Sequence, residues 1–290
     1  MGAADPDGFA ADGEGPVRNV EMPEFWIDAT TVTNRRFAAF VGATGYLSDA
    51  EREGWSYVFY AAVDPKVPQR AIKGSPGGAP WWLAVEGASW HSPDGPGSDV
   101  AEKLGHPVVH VSWNDAAAYA AYAGKRLPSE AEWEKAARGG LDQKRFPWGD
   151  ELTPGGEHRC NIWQGEFPHV NSAEDGHLAT ARVTAFAPNG YGLHNCAGNV
   201  WEWCADWWSA EWHVPAGDLT RRNPAGPQMG VAKVIRGGSY LCNASYCNRY
   251  RTAARTFNMP NSTTGHTGFR CAATASGGVK EGEGAERSAH

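Results

Sequence analysis

The sequence predicts one loop-rich α+β domain with little regular secondary structure, and three observations predict it. Glycine and proline are abundant: 36 Gly and 19 Pro among 290 residues, roughly 19% against an average nearer 12%. The apolar runs are short, and helix-capping signals bound only short periodic segments. Finally, 14 tryptophans offer the aromatic packing that can tie long loops together. A chain of 290 residues can build one large domain with a substantial core. That domain is expected over residues 20–275. Residues 1–19 and 276–290 are rich in Gly and charge, lack apolar periodicity, and read as disordered ends.

In chain order, Phe25 to Asn34 (F-W-I-D-A-T-T-V-T-N) reads as a strand leading into a helix over residues 35–41, capped by Thr33 or Asn34. Residues 45–105 are irregular, with Pro80-Trp81-Trp82 among many turn signals. A loop-rich stretch of that length is usually functional. Residues 106–111 (H-P-V-V-H-V) read as a short strand whose His106 and His110 make ordinary hydrogen bonds. Ser112-Trp-Asn-Asp115 fits a capping box for a helix over 116–123 that stops at Gly124. Ser129-Glu-Ala-Glu132 opens a second helix that runs to Arg138 and ends on Gly139-Gly140.

Composition excludes several functions. The net charge is −7 and the pI about 5.8, so there is no basic footprint for nucleic acid. An acidic surface suits a basic peptide instead. No apolar run approaches the ~18 residues of a membrane span. Residues 1–15 have no apolar core of a secretory signal, so a cytoplasmic location with free thiols is expected. There the sequons at Asn243 and Asn261 are idle. No G-x-S-x-G, Walker A or H-E-x-x-H pattern occurs.

Two stretches carry candidate chemistry. Between Phe146 and Trp208, oxygen donors collect in two nests: Cys160-Asn161-Ile162 with Glu174-Asp175-Gly176-His177, and Asn195, Gly198, Val200 and Glu202. Such Gly/Asn/Asp loops suit Ca2+, which takes six to eight oxygens, although loop Asn and Asp also form simple Asx turns. The second stretch is Arg236-Gly-Gly-Ser-Tyr-Leu-Cys242-Asn-Ala-Ser-Tyr-Cys247-Asn-Arg-Tyr-Arg251. Its C-x4-C spacing matches neither zinc knuckles nor redox C-x-x-C helices. Neither a helix nor a strand puts both sulfurs on one face, so residues 243–245 must turn. Two thiols alone can be a Cu(I) site, a reversible disulfide, or two small core residues. Cys160, Cys196, Cys204 and Cys271 have no metal-like spacing and read as buried and inert.

The second stretch, with G-F-R-C-A-A at residues 268–273, resembles the C-terminal signature of the formylglycine-generating enzymes, the sulfatase-modifying factors. W-N-D-A, G-K-R-L-P-S-E-A-E-W-E and the F-x-I-D-x-x-x-V-T-N opening resemble the same family, and the likeness covers about Val20 to Ala273. It implies a C-type-lectin-like fold. It also implies a copper-dependent oxidase that uses O2 and an external thiol reductant to convert a cysteine within C-x-P-x-R of an unfolded sulfatase into Cα-formylglycine. Cys242 and Cys247 would hold Cu(I), with Ser239 and Tyr246 beside them. Two structural Ca2+ ions are implied as well. Asn161, the Ile162 carbonyl, Asp175 and the His177 carbonyl would hold one; Asn195, the Gly198 and Val200 carbonyls and Glu202 would hold the other. In secreted animal relatives the cysteine matching Cys271 is disulfide-bonded, and its partner position here is Ala137; a second pair loses one member at Thr252. The same fold hosts non-catalytic ligand-binding modules, which have no need of the cysteine pair. It also hosts an iron-dependent sulfoxide synthase, for whose added helical domain the chain has no room.

Overall fold

Short elements joined by long loops make up residues 1–275, the part described by the computed structural model of the protein. The expected C-terminal tail, 276–290, lies outside the described residues. Strand β1 (Phe25–Ile27) is followed by helix α1 (Asn34–Thr44). Thr33 Oγ1 accepts from Arg36 N at 3.2 Å, and left-handed Gly45 ends the helix at φ 67°. The stretch expected to be irregular holds α2 (Asp49–Glu53) and two paired antiparallel strands, β2 (Trp55–Phe59) and β3 (Trp82–Glu86). Helices α3 (Trp113–Tyr122) and α4 (Glu130–Arg138) start at Ser112 and Ser129 with complete capping boxes.

The central sheet comprises β4 (Trp201–Trp207), β5 (Lys233–Arg236), β6 (Arg255–Asn258) and β7 (Thr267–Gly268), with a short α5 (Asp218–Arg221) between the first two. Its order is β6-β5-β4-β7, and only the β4–β7 pair is parallel. β8 (Ala272–Thr274) returns to pair antiparallel with β1. Sequence reading finds neither β4 nor β5, because both are covered on two faces and alternation disappears. Trp203 is fully buried and donates to the Val111 carbonyl at 3.1 Å.

Two expectations are corrected. Residues 106–111 are not a strand: Val108 N bonds Val32 O at 2.9 Å, His110 N bonds Thr264 O at 2.9 Å, and His110 is left-handed at φ 58°. The backbone thus serves two different segments, and only Pro107 forms an isolated bridge, to Thr33. Residues 1–19 are not disordered. Glu14 forms a two-pronged ion pair with Arg251 at 2.5 and 2.6 Å, Asp12 meets Arg249 at 2.5 Å, and Gly2 N donates to Glu134 at 2.8 Å. Charge pairing orders a segment too poor in apolar residues to order itself by burial.

A buried ion network ties α4 to the sheet. Arg236 reaches Glu130 and Glu134 at 2.7 and 2.8 Å, and Arg255 grips Glu130 at 2.6 and 2.7 Å. Burial opposes ionisation of Glu130, yet the two guanidiniums outweigh it and hold the carboxyl down to about 2. The network fixes both ends of the loop that carries the cysteine pair, since Arg236 ends β5 and Arg255 begins β6.

Candidate active site

The loop between β5 and β6 leaves the sheet through Gly237 and Gly238, both at positive φ. A Cβ on Gly238 would stand 3.0 Å from the backbone of Tyr250, so only glycine permits this close return. The required turn follows: the Asn243 carbonyl accepts from Tyr246 N at 3.0 Å and Cys247 N at 2.7 Å. Asn243 Oδ1 accepts from Ser245 N at 2.9 Å, while Nδ2 donates to the Trp163 and Gly165 carbonyls at 3.2 and 3.1 Å. This turn brings the Cys242 and Cys247 sulfurs to 2.9 Å, well beyond the ~2.05 Å of a disulfide. Both are free thiols.

The pair lies on the wall of an open cavity of about 390 Å³ that Ser239 and Tyr246 also line. The four predicted residues therefore converge. Sequence reasoning missed the aromatic part of the lining, which includes Trp81, Trp82, Phe167 and His266. Tyr246 stacks on Phe167, with centroids 4.4 Å apart, and meets the edge of Trp81 at 4.9 Å. His266 packs against Trp82 at 4.5 Å, and its Nδ1 pairs with Thr264 Oγ1 at 2.8 Å. The Pro-Trp-Trp signal at 80–82 pointed at this lining; nothing local marked Phe167 or His266.

The two thiols are unequal. Cys247 is acidified by the hydrogen bond from Cys242 and, against the cost of burial, by Arg249, whose NH1 stands 3.9 Å from its sulfur. Burial pushes the Cys242 thiol up, and the neighbouring Cys247 pushes it further, although Ser239 N donates to its sulfur at 3.4 Å. The pair thus carries one negative charge more readily than two, with Cys247 as the thiolate. The other four cysteines are buried and do not line the cavity. Burial pushes Cys196 and Cys271 to about 12, and Cys160 and Cys204 also rise.

The two oxygen nests lie side by side. Asn161 bridges to Gly198, whose Cβ would stand 2.2 Å from the Asn161 carbonyl oxygen, and Asn199 N donates to that carbonyl at 2.8 Å. Asp175 accepts from Ile162 N, Gln164 Nε2 and His177 N, each at 2.9 Å. Gln164 also donates to the Ile162 carbonyl. The Asn161 Oδ1 atom is buried without a partner, as is Asn195 Oδ1. Orphaned acceptors of this kind fit a hard cation. Glu202 departs from the expected free ligand. Its Oε2 accepts from Trp133 at 2.7 Å and Arg270 at 2.6 Å, and its Oε1 accepts from Arg270 at 2.7 Å. One lone-pair direction remains open, beside a guanidinium that opposes a cation. The first nest, with Asn161, Ile162, Asp175 and His177, fits Ca2+ better than the second.

The sulfatase-modifying factor enzyme 1-like domain family matches residues 1–275. The chain belongs to this family. A formylglycine-generating enzyme of Thermomonospora curvata is 64% identical over 94% of this chain and 89% of its own length. One of Streptomyces coelicolor is 60% identical over 94% and 85%. A bovine relative, 45% identical over 95% of this chain and 85% of its own, is named an inactive formylglycine-generating enzyme. Within the sulfatase-modifying factor family, then, overall likeness does not decide activity and site residues must. The solved structure of PvdO from Pseudomonas aeruginosa matches at TM-score 0.66 and 24% identity, over 95% of this chain and 90% of that one, which supports the shared fold.

Proposed function

We propose that this chain is a copper-dependent oxidase that converts a cysteine within C-x-P-x-R of an unfolded sulfatase into Cα-formylglycine. One observation carries the reading: among six cysteines, only two meet, at 2.9 Å, and they do so on the wall of an open cavity. Two soft sulfurs without a hard donor or a tetrahedral set suit Cu(I) and disfavour Zn2+ and Mg2+. When bound, Cu(I) would supply the one-electron chemistry that O2 requires.

The protein's own groups have definite tasks. Cys242 and Cys247 hold the metal, with Cys247 the readier to lose its proton. Ser239 and Tyr246 stand where a hydroxyl can orient a small polar molecule against the sulfurs, and Trp81 and Phe167 pack around Tyr246 at the same open cavity. Overall, substrate R-CH2-SH, O2 and two thiols of a reductant give R-CHO, sulfide, water and a disulfide. O2 takes four electrons, two from the substrate carbon and two from the reductant. Ca2+ in the Asn161 nest is a structural ion. Six free cysteines suit a reducing, cytoplasmic compartment, and no helix among the described residues is long and apolar enough to cross a membrane.

The test supplies Cu(I), O2, a thiol reductant and a C-x-P-x-R peptide, then reads the peptide by mass and by aldehyde capture. Formylglycine is expected only with copper present. A disulfide relay between the same sulfurs predicts turnover that survives a strong Cu(I) chelator when an oxidant is supplied. A non-catalytic module predicts peptide binding without any change of mass.

A further inference from the structure

We infer that residues 9–14 are a positioning element for the active site: Phe9 and Asp12 aim the Arg249 guanidinium at the Cys247 sulfur. The inference rests on the copper reading above. Arg249 spends its Nε edge on Asp12 Oδ2 at 2.5 Å, sets its Cζ 3.8 Å from the Phe9 ring centroid, and leaves NH1 3.9 Å from Cys247 Sγ. A planar fork can serve a carboxylate and a sulfur at once, whereas a lysine ammonium on a flexible stem cannot hold both directions. The segment is clamped to the chain just after Cys247. Asn248 Nδ2 donates to the Asp7 carbonyl at 2.9 Å, and Arg251 is gripped by Glu14 at 2.5 and 2.6 Å. Gly13 makes the path possible, because at φ 66° its Cβ would stand 2.0 Å from the Ala210 carbonyl oxygen. Two thiolates around one Cu(I) leave a net negative charge on two largely buried side chains. A donor held at the outer sulfur stabilises that charge, and its hold comes from residues more than two hundred positions away in the chain.

The experiment is a Cu(I) competition titration against a chromophoric chelator, without substrate, on the full chain. Arg249→Met is expected to weaken Cu(I) binding at least about tenfold, and Asp12→Asn about threefold, as expected for losing or misaiming one nearby charge. Arg249→Lys should recover part of the loss. Glu202→Gln separates positioning from mere folding, since it breaks a more buried ion pair, with Arg270, that touches none of Phe9, Asp12 and Arg249. It should lower the melting temperature and leave Cu(I) affinity near wild type. Equal affinity in Asp12→Asn and wild type overturns the inference, as does a Glu202→Gln loss as large as that of Asp12→Asn. Should Arg249→Met not fold, those two variants still decide. Wild-type protein that binds no Cu(I) overturns the copper reading and this inference together; tight wild-type binding unaffected by Asp12→Asn overturns this inference alone.

Discussion

The cysteine loop and the asparagine nests use the same backbone device for opposite donors. Each turns the chain on left-handed residues, Gly237 and Gly238 at one and Asn195, Gly198 and Asn199 at the other, and each buries the atoms it gathers. One collects soft sulfurs at an open cavity. The other leaves hard amide oxygens orphaned inside the fold. On the proposed reading the first carries chemistry and the second stability, and removing either should leave the other's property standing.

The largest effect is expected at the sulfurs. Cys242→Ser and Cys247→Ser should each lose tight Cu(I) binding and nearly all aldehyde formation, measured by chelator competition and peptide mass. Their losses should not add, because either change dismantles the site. Melting temperature and its Ca2+ dependence should persist. Full turnover in copper-free enzyme would break the comparison at its root.

Glu202 should show the reverse pattern. It is fully buried against Arg270, and removing one partner of a buried pair costs about 3–5 kcal/mol. Glu202→Gln should therefore melt well below wild type, while its folded fraction binds Cu(I) normally. If Glu202 serves as counter-ion, Ca2+ should still raise the melting point of this variant. A variant blind to Ca2+ would make Glu202 a ligand after all.

Withdrawing Ca2+ with EGTA should cost less. Saturation at a hundred times Kd contributes about 2.7 kcal/mol, so the melting temperature of wild type should fall by several degrees. Cu(I) loading should change little. An unchanged melting curve would leave Asn161 Oδ1 and Asn195 Oδ1 without the partner argued for them.

Much of this division was legible in the chain, and the rest was hidden for identifiable reasons. α1, α3 and α4 announce themselves because caps and stop glycines act within four residues. The C-x4-C pair demanded a turn on geometry alone, and the turn is there. β4 and β5 were hidden because strands covered on both faces show no alternation. The N-terminal segment was misjudged because its order comes from Asp12 and Glu14 meeting Arg249 and Arg251. No local pattern predicts a pairing that spans almost the whole chain. The aromatic part of the cavity lining was lost for the same reason, since Trp81, Phe167 and His266 come from three separate loops.

The smallest effects should come from the sulfurs that do not meet. Cys160, Cys196, Cys204 and Cys271 are all buried, and their thiols are pushed up rather than activated. Each to Ala should leave Cu(I) affinity and turnover near wild type and cost about 1 kcal/mol for the small cavity left behind. Serine should divide them further. At positions 196 and 204 a carbonyl stands near the sulfur, that of His194 at 3.9 Å and that of Glu202 at 4.0 Å, so a hydroxyl there has an acceptor to move toward, although it must shift to come within bonding distance. Cys160 and Cys271 have no such acceptor, so their serine variants should bury an unpaired hydroxyl and cost about 1–3 kcal/mol. Thermal melts of the eight variants, read beside Cu(I) titrations, separate the two costs. Loss of copper binding in any one of them would mean that the metal site extends beyond Cys242 and Cys247.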